Sequence, residues 1–330
     1  MRISVLGGGS WGTALAHLLA DKGLRVTLLV RDEALAAAVN TAHENPPYLP
    51  GLALHPDLKA STDPAAALPE TDLLLLAVPC QFLRETLNRV AGHLPAHAVP
   101  VCASKGIEVG TLKRMSEVVA DVLPGQSEHY AILSGPSFAR EVLESKPTAV
   151  ALGCADAALG EKLRALFSTD RFRVYSSTDV AGVELGGAVK NVMAIAAGLC
   201  DGLGLGHNAR AALITRGLAE MSRLGEALGA RPGTFMGLSG MGDLVLTCTG
   251  DLSRNRQVGM RLAAGESMDA IAKSMRMVAE GVKTTGAVRT LAGSLGVDLP
   301  IAEAMSRVLD AEATPLAMVR ELMTRALREE

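Results

Sequence analysis

A chain of 330 residues, 48% hydrophobic and 20% charged, is long enough for two cores and too apolar to be disordered. A net charge of −3, a pI near 6.2 and only 3% aromatic residues argue against a nucleic-acid-binding surface. Five scattered cysteines with no CxxC pair suit reduced thiols better than a disulfide framework, and seven histidines without ligand spacing predict no metal site.

Taken in chain order, strand-like runs fall at residues 2–6, 25–30, 73–78, 99–103, 131–133, 148–152 and 171–176. Helical stretches at 12–22, 32–40, 82–92 and 111–122 separate several of them. Such alternation predicts an α/β domain over residues 1–178 built on a mostly parallel, doubly wound sheet. The run 73–78 is apolar throughout, as in a strand covered on both faces. Residues 45–51 read NPPYLPG, a stiff connection that cannot be helical. From residue 179 to 330 the chain is rich in Ala, Leu, Met and Gly at helical spacing, which predicts a mainly α-helical second domain. Within it, a long helix is expected over 209–227, and another from the N-cap candidates Asp251 and Ser253 to Ala264. The first strand begins at Arg2, leaving no room before it for a signal peptide, and the apolar run 73–79 is too short for a membrane span. A reduced, cytoplasmic protein is expected.

The most informative segment is RISVLGGGSWG, residues 2–12. Gly7, Gly9 and Gly12 stand in a GxGxxG frame between a strand and a helix, the Rossmann-type pattern for a dinucleotide. Gly7 makes the tight exit from the strand, Gly9 lets backbone approach a pyrophosphate, and Gly12 lets the helix pack close to the sheet. The positive helix end at Ser10 and Trp11 then faces the phosphates. Past the second strand stand Arg31 and Asp32. A basic residue there suits the 2′-phosphate of NADP, so NADPH is favoured over NADH, with dual use open.

Three further strings combine glycine with polar groups: ASKGIE at 103–108, LSGPSFA at 133–139 and ELGGAVKN at 184–191. With GGGSWG, LSGMGDL (238–244), SRNR (253–256) and VAEGV (278–282), they resemble the bacterial NAD(P)-dependent glycerol-3-phosphate dehydrogenases, in the expected order over nearly the whole chain. The resemblance implies interconversion of sn-glycerol 3-phosphate and dihydroxyacetone phosphate, with Lys190 as general acid/base. It is the only charged residue between positions 185 and 200. A free lysine holds its proton too firmly for a base at neutral pH, and a closed pocket near Lys105 would loosen it.

By the same resemblance Lys105 binds both substrate and cofactor, and Asp243 takes a substrate hydroxyl or orients Lys190. Gly135, Ser137, Ser253, Arg254 and Asn255 complete the substrate pocket, the guanidinium suiting a phosphate. Ala139, Arg254, Val278 and Glu280 join Gly7, Gly9, Ser10, Trp11, Gly12 and Arg31 as cofactor contacts. The family supplies glycerol 3-phosphate for phospholipid synthesis, and large apolar helices in the second half are compatible with a homodimer. Two alternatives remain at this level. A β-hydroxyacid dehydrogenase shares the architecture and a helix lysine but must bind a carboxylate. A dinucleotide-sensing module needs the glycines but neither Lys190 nor Asp243.

Overall fold

The computed structural model describes residues 1–275 and 279–326. It divides into two compact units, Met1–Lys105 with Lys113–Glu184, and Gly106–Leu112 with Leu185–Glu330.

The first unit holds strands β1 (Arg2–Leu6), β2 (Arg25–Leu29), β3 (Glu44–Asn45), β4 (Leu49–Ala53), β5 (Lys59–Ser61), β6 (Leu73–Leu76), β7 (Val99–Cys102), β8 (Ala131–Ser134), β9 (Thr148–Cys154) and β10 (Phe172–Ser177). Eight of them form one sheet in the order β10-β9-β8-β7-β6-β1-β2-β5, and β3 pairs with β4 in a separate hairpin. All neighbours in the large sheet run parallel except β8 and β9. The expected doubly wound parallel sheet is therefore present. Its centre is dry: β6 is four consecutive buried leucines, and β1 is buried from Ile3 to Leu6.

Parallel strands end together. Gly7 after β1, Ala77 after β6, Ala103 after β7 and Gly135 after β8 thus follow the carboxyl ends of one row of strands, where ligands of open α/β sheets bind. Backbone bonds carry the ladder past the strand ends, from Ala77 N to Leu6 O at 2.8 Å and from Ala103 N to Leu76 O at 2.7 Å.

Two local expectations need correction, and a third segment gains detail. The 32–40 helix is α-helical only over Glu33–Ala37 and continues as a π-turn over Ala38–Ala42. The helix expected from residue 111 begins at Met115. The NPPYLPG segment is non-helical as expected and spans the end of β3, the turn and the start of β4, a hairpin that strands of two and five residues hid from pattern reading.

The second unit is helical. Its framework includes the helices Val180–Gly202, whose first turn lies in the first unit, and Gly206–Ala227, Asp243–Thr249, Arg254–Ala263, Glu280–Leu295 and Pro300–Leu309. Val180–Gly202 is long and apolar enough to cross a membrane by composition, but its apolar stretch is wholly buried. Its first turn is anchored by Glu184, whose carboxylate accepts from Ser116 N (2.7 Å), Ser116 Oγ (2.8 Å) and Tyr130 Oη (2.8 Å). Burial pushes that carboxyl up, against the pull of Arg114.

Candidate active site

In the first unit the strand-to-helix turn is built as the glycine pattern requires. Gly7 has φ +110°, and a Cβ on Gly12 would stand 2.0 Å from the Gly7 carbonyl oxygen, so helix Ser10–Asp21 can sit this close only without one. Gly9 differs from both. It caps the helix in an extended conformation with no side-chain capping bond, and a Cβ there would meet nothing within 4 Å. Open space in front of an uncapped helix N-terminus suits a dinucleotide pyrophosphate, which takes backbone N–H donors and needs close approach. The residues present therefore fit a nicotinamide dinucleotide. Ser10 donates its hydroxyl to the Tyr48 carbonyl at 3.1 Å, and the Trp11 ring packs on the sheet core with a buried, unpaired Nε1.

Beyond β2, Asp32 caps the next helix, accepting from Ala34 N at 2.8 Å. Arg31 beside it is exposed. Past β7 and β8, Lys105 Nζ and Ser137 Oγ both donate to the Gly135 carbonyl, at 3.1 and 3.0 Å. Three expected substrate residues thus share one oxygen. Ala139 opens the following short helix and packs on the core.

In the second unit Lys190 sits ten residues into helix Val180–Gly202 and is 7% exposed. Its ammonium donates to Asp243 Oδ1 at 2.5 Å and to Thr247 Oγ1 at 2.8 Å. Asp243 is 1% exposed and starts helix Asp243–Thr249, with Thr247 one turn later. The Thr247 hydroxyl donates in turn to the Asp243 carbonyl at 2.6 Å, which fixes its lone pairs toward the lysine. Gly186, one turn before Lys190, lets the Leu238–Gly242 turn deliver Asp243: a Cβ there would lie 2.5 Å from Ser239 O. A carboxylate and a hydroxyl thus hold the buried ammonium in one place.

The SRN string is arranged differently from the simple picture of three outward-facing donors. Ser253 is buried and caps helix Arg254–Ala263, accepting from Arg256 N at 3.2 Å. Asn255 is buried too; its Nδ2 donates to Asn191 Oδ1 at 2.9 Å and its Oδ1 accepts from Gly281 N at 3.0 Å. It ties the Lys190 helix to helix Glu280–Leu295, whose first residue is the expected cofactor contact Glu280. Arg254 is the exposed member. Val278 lies outside the described residues.

Sequence reading missed Thr247 and Asn191. Each carried a faint signal, Thr247 as the position one helical turn from Asp243 and Asn191 as the amide following Lys190. Among the described residues no cluster of His, Cys, Asp or Glu has metal-holding geometry.

A glycine turn fit for a pyrophosphate at the carboxyl end of an interior parallel strand and a buried, carboxylate-paired lysine are the parts of a dinucleotide-dependent dehydrogenase. Comparison with known proteins narrows that class. Family models described as the N-terminus and C-terminus of NAD-dependent glycerol-3-phosphate dehydrogenase match residues 2–160 and 179–320, and the chain belongs to that family. It is 64% identical to glycerol-3-phosphate dehydrogenase (NAD(P)+) of Oleidesulfovibrio alaskensis over 330 residues, covering 100% of both chains. The same holds for the enzyme of that name from Nitratidesulfovibrio vulgaris, also 64% identical over 100% of both chains. Among solved structures, glycerol-3-phosphate dehydrogenase of Coxiella burnetii superposes with a TM-score of 0.93 at 40% identity, covering 98% of this chain and 99% of that one.

Proposed function

We propose that this protein interconverts dihydroxyacetone phosphate and sn-glycerol 3-phosphate, with Lys190 passing the proton. Bound NADPH or NADH supplies the hydride for the substrate's C2. Lys190 gives its proton to the C2 oxygen in the reducing direction and takes it back in the other. Asp243 and Thr247 hold the ammonium in one place. Lys105 adds positive charge where the alkoxide develops, and Gly135 and Ser137 supply further substrate contacts. Arg254 takes the phosphate ester, with Ser253 capping and Asn255 anchoring the start of its helix beneath it.

Gly7, Gly9, Ser10, Trp11 and Gly12 would hold the dinucleotide on the sheet side, with Ala139, Val278 and Glu280 as further contacts. Arg31 would take the 2′-phosphate of NADPH, since the neighbouring carboxylate of Asp32 is spent on its helix cap. The observation that carries this reading is the buried Lys190–Asp243–Thr247 cluster in a chain of this family. Purified protein should oxidise NADPH with dihydroxyacetone phosphate and not with 3-oxo acids, and should not reduce NADP+ with 6-phosphogluconate. Lys190→Ala should retain NADPH binding and lose turnover by about 100-fold or more. Absence of triose-phosphate activity in the wild type sinks the reading.

The finer setting belongs to the same proposal. Glycerol 3-phosphate made here would feed phospholipid synthesis in the cytoplasm, a compartment that suits five buried cysteines in no disulfide. A homodimer is supported by apolar surface on the helical unit, where Met236 is 64% and Val245 42% exposed. Light scattering of the purified protein tests it.

A further inference from the structure

The hairpin made by NPPYLPG has no part in the chemistry above, yet its first residue reaches the glycine turn. We infer that Asn45 is a positioning residue for the dinucleotide pyrophosphate, fixing the Gly8–Gly9 peptide plane so that its N–H is offered to the ligand. The inference rests on the dinucleotide site proposed above.

Asn45 is fully buried, and its Nδ2 donates to Gly8 O at 3.0 Å and to Thr13 Oγ1 at 2.7 Å. A carbonyl only accepts, so the nitrogen end of the amide must face Gly8. Across a trans peptide the carbonyl and the following N–H point in opposite directions, and the chain has no cis bonds among its described residues. Holding Gly8 O toward Asn45 therefore turns the Gly9 N–H away from it. Gly9 is the residue bordering open space at the uncapped helix start. Thr13, the second acceptor, donates its own N–H to Gly9 O at 3.0 Å, closing the first helical bond. One side chain thus grips both the turn and the helix it feeds.

The grip itself is rigid. Asn45 pairs with buried Leu49 across the hairpin, and Leu54 N bonds His43 O at 2.7 Å at its base. Pro46 and Pro47 restrict the turn. Ser10 Oγ adds a second tie to Tyr48 O at 3.1 Å. On the other wall a Cβ on Gly8 would lie 2.4 Å from Val30 Cγ1, so the peptide is boxed in. Two donors without charge, at this reach in a dry site, are what an asparagine supplies; an aspartate has none.

The test uses full-length protein, wild type and the variants Asn45→Ala and Asn45→Asp. NADPH affinity is measured by calorimetry, and adenosine affinity by chemical-shift titration. Both variants should bind NADPH about tenfold or more weakly while adenosine stays within about twofold, the scale of a lost hydrogen bond to the phosphate-binding peptide alone. In 15N-labelled wild type, NADPH should displace the Gly9 amide resonance, and inorganic pyrophosphate should do the same. Unchanged NADPH affinity in folded variants overturns the inference, as does an equal loss for NADPH and adenosine. If neither variant folds, a Gly9 amide unmoved by NADPH in the wild type overturns it. Wild type that binds no NADPH at all overturns the proposed function as well, which separates the two failures.

Discussion

Lys190 and Asp243 stand 2.5 Å apart with side chains 8% and 1% exposed, an ion pair from which water is largely excluded. Such a pair is costly to break from one side, because the remaining charge stays buried and uncompensated. Asp243→Asn should therefore destabilise the protein by about 3 kcal/mol or more, and Lys190→Met by a similar amount. The double variant should be more stable than the sum of the two losses predicts, by about 1–3 kcal/mol. Urea unfolding of the four proteins measures the cycle. Additive losses would mean that the two groups do not act as a pair.

Thr247 accepts from the same ammonium, and its role separates cleanly from packing. Thr247→Val keeps the shape and removes the hydroxyl; Thr247→Ser keeps the hydroxyl and removes a methyl. A hydrogen bond to a charged group contributes about 1.5–3 kcal/mol, so Val should lower kcat by roughly 10- to 100-fold. Ser should restore most of it. Steady-state kinetics with saturating NADPH decide the matter, and equal kcat for Val and Ser would leave Thr247 with a packing role only.

Much of this was legible in the chain, for physical reasons that also explain what was not. The strand at residues 2–6 and the glycine turn announce themselves because hydrophobic alternation, φ > 0 and close helix packing each restrict residue type locally. Lys190 stood out as the lone charge between positions 185 and 200. By contrast, Asn45 and Thr13 meet across 32 residues, and Asn255 and Asn191 across 64. No local pattern encodes such pairings. The role of Ser253 was half read: its capping geometry was visible, its burial was not.

Arg31 offers a test of cofactor choice that leaves the chemistry alone. With Asp32 held by Ala34 N, the exposed guanidinium is the side chain at the end of β2 that a 2′-phosphate would meet. Arg31→Asp should raise KM for NADPH by about tenfold or more, the scale of a charged hydrogen bond, while NADH is spared or improved. The ratio of kcat/KM for the two coenzymes measures it. A ratio that does not move removes Arg31 from the site.

Glu220 makes stability depend on pH far from the reaction. It is 3% exposed in helix Gly206–Ala227 and caps helix Pro300–Leu309, accepting from Ile301 N at 2.7 Å and Ala302 N at 3.2 Å. Desolvation dominates, and the two backbone bonds and Arg223 only partly offset it, so the carboxyl is pushed up to about 7 from 4.5. The folded state then holds the proton more tightly than the unfolded chain. Stability from this group is complete below pH 4.5 and is lost as pH rises through 7, by at most about 3 kcal/mol. Glu220→Gln cannot titrate but keeps one acceptor for the helix end. Other groups titrate alike in both proteins and cancel in the difference. The unfolding free energy of the variant relative to wild type should therefore rise in the variant's favour between pH 4.5 and 7.5 and level off above. A difference that is flat across that range would show that Glu220 is ionised throughout, with the helix N-terminus supplying enough positive potential to outweigh its burial.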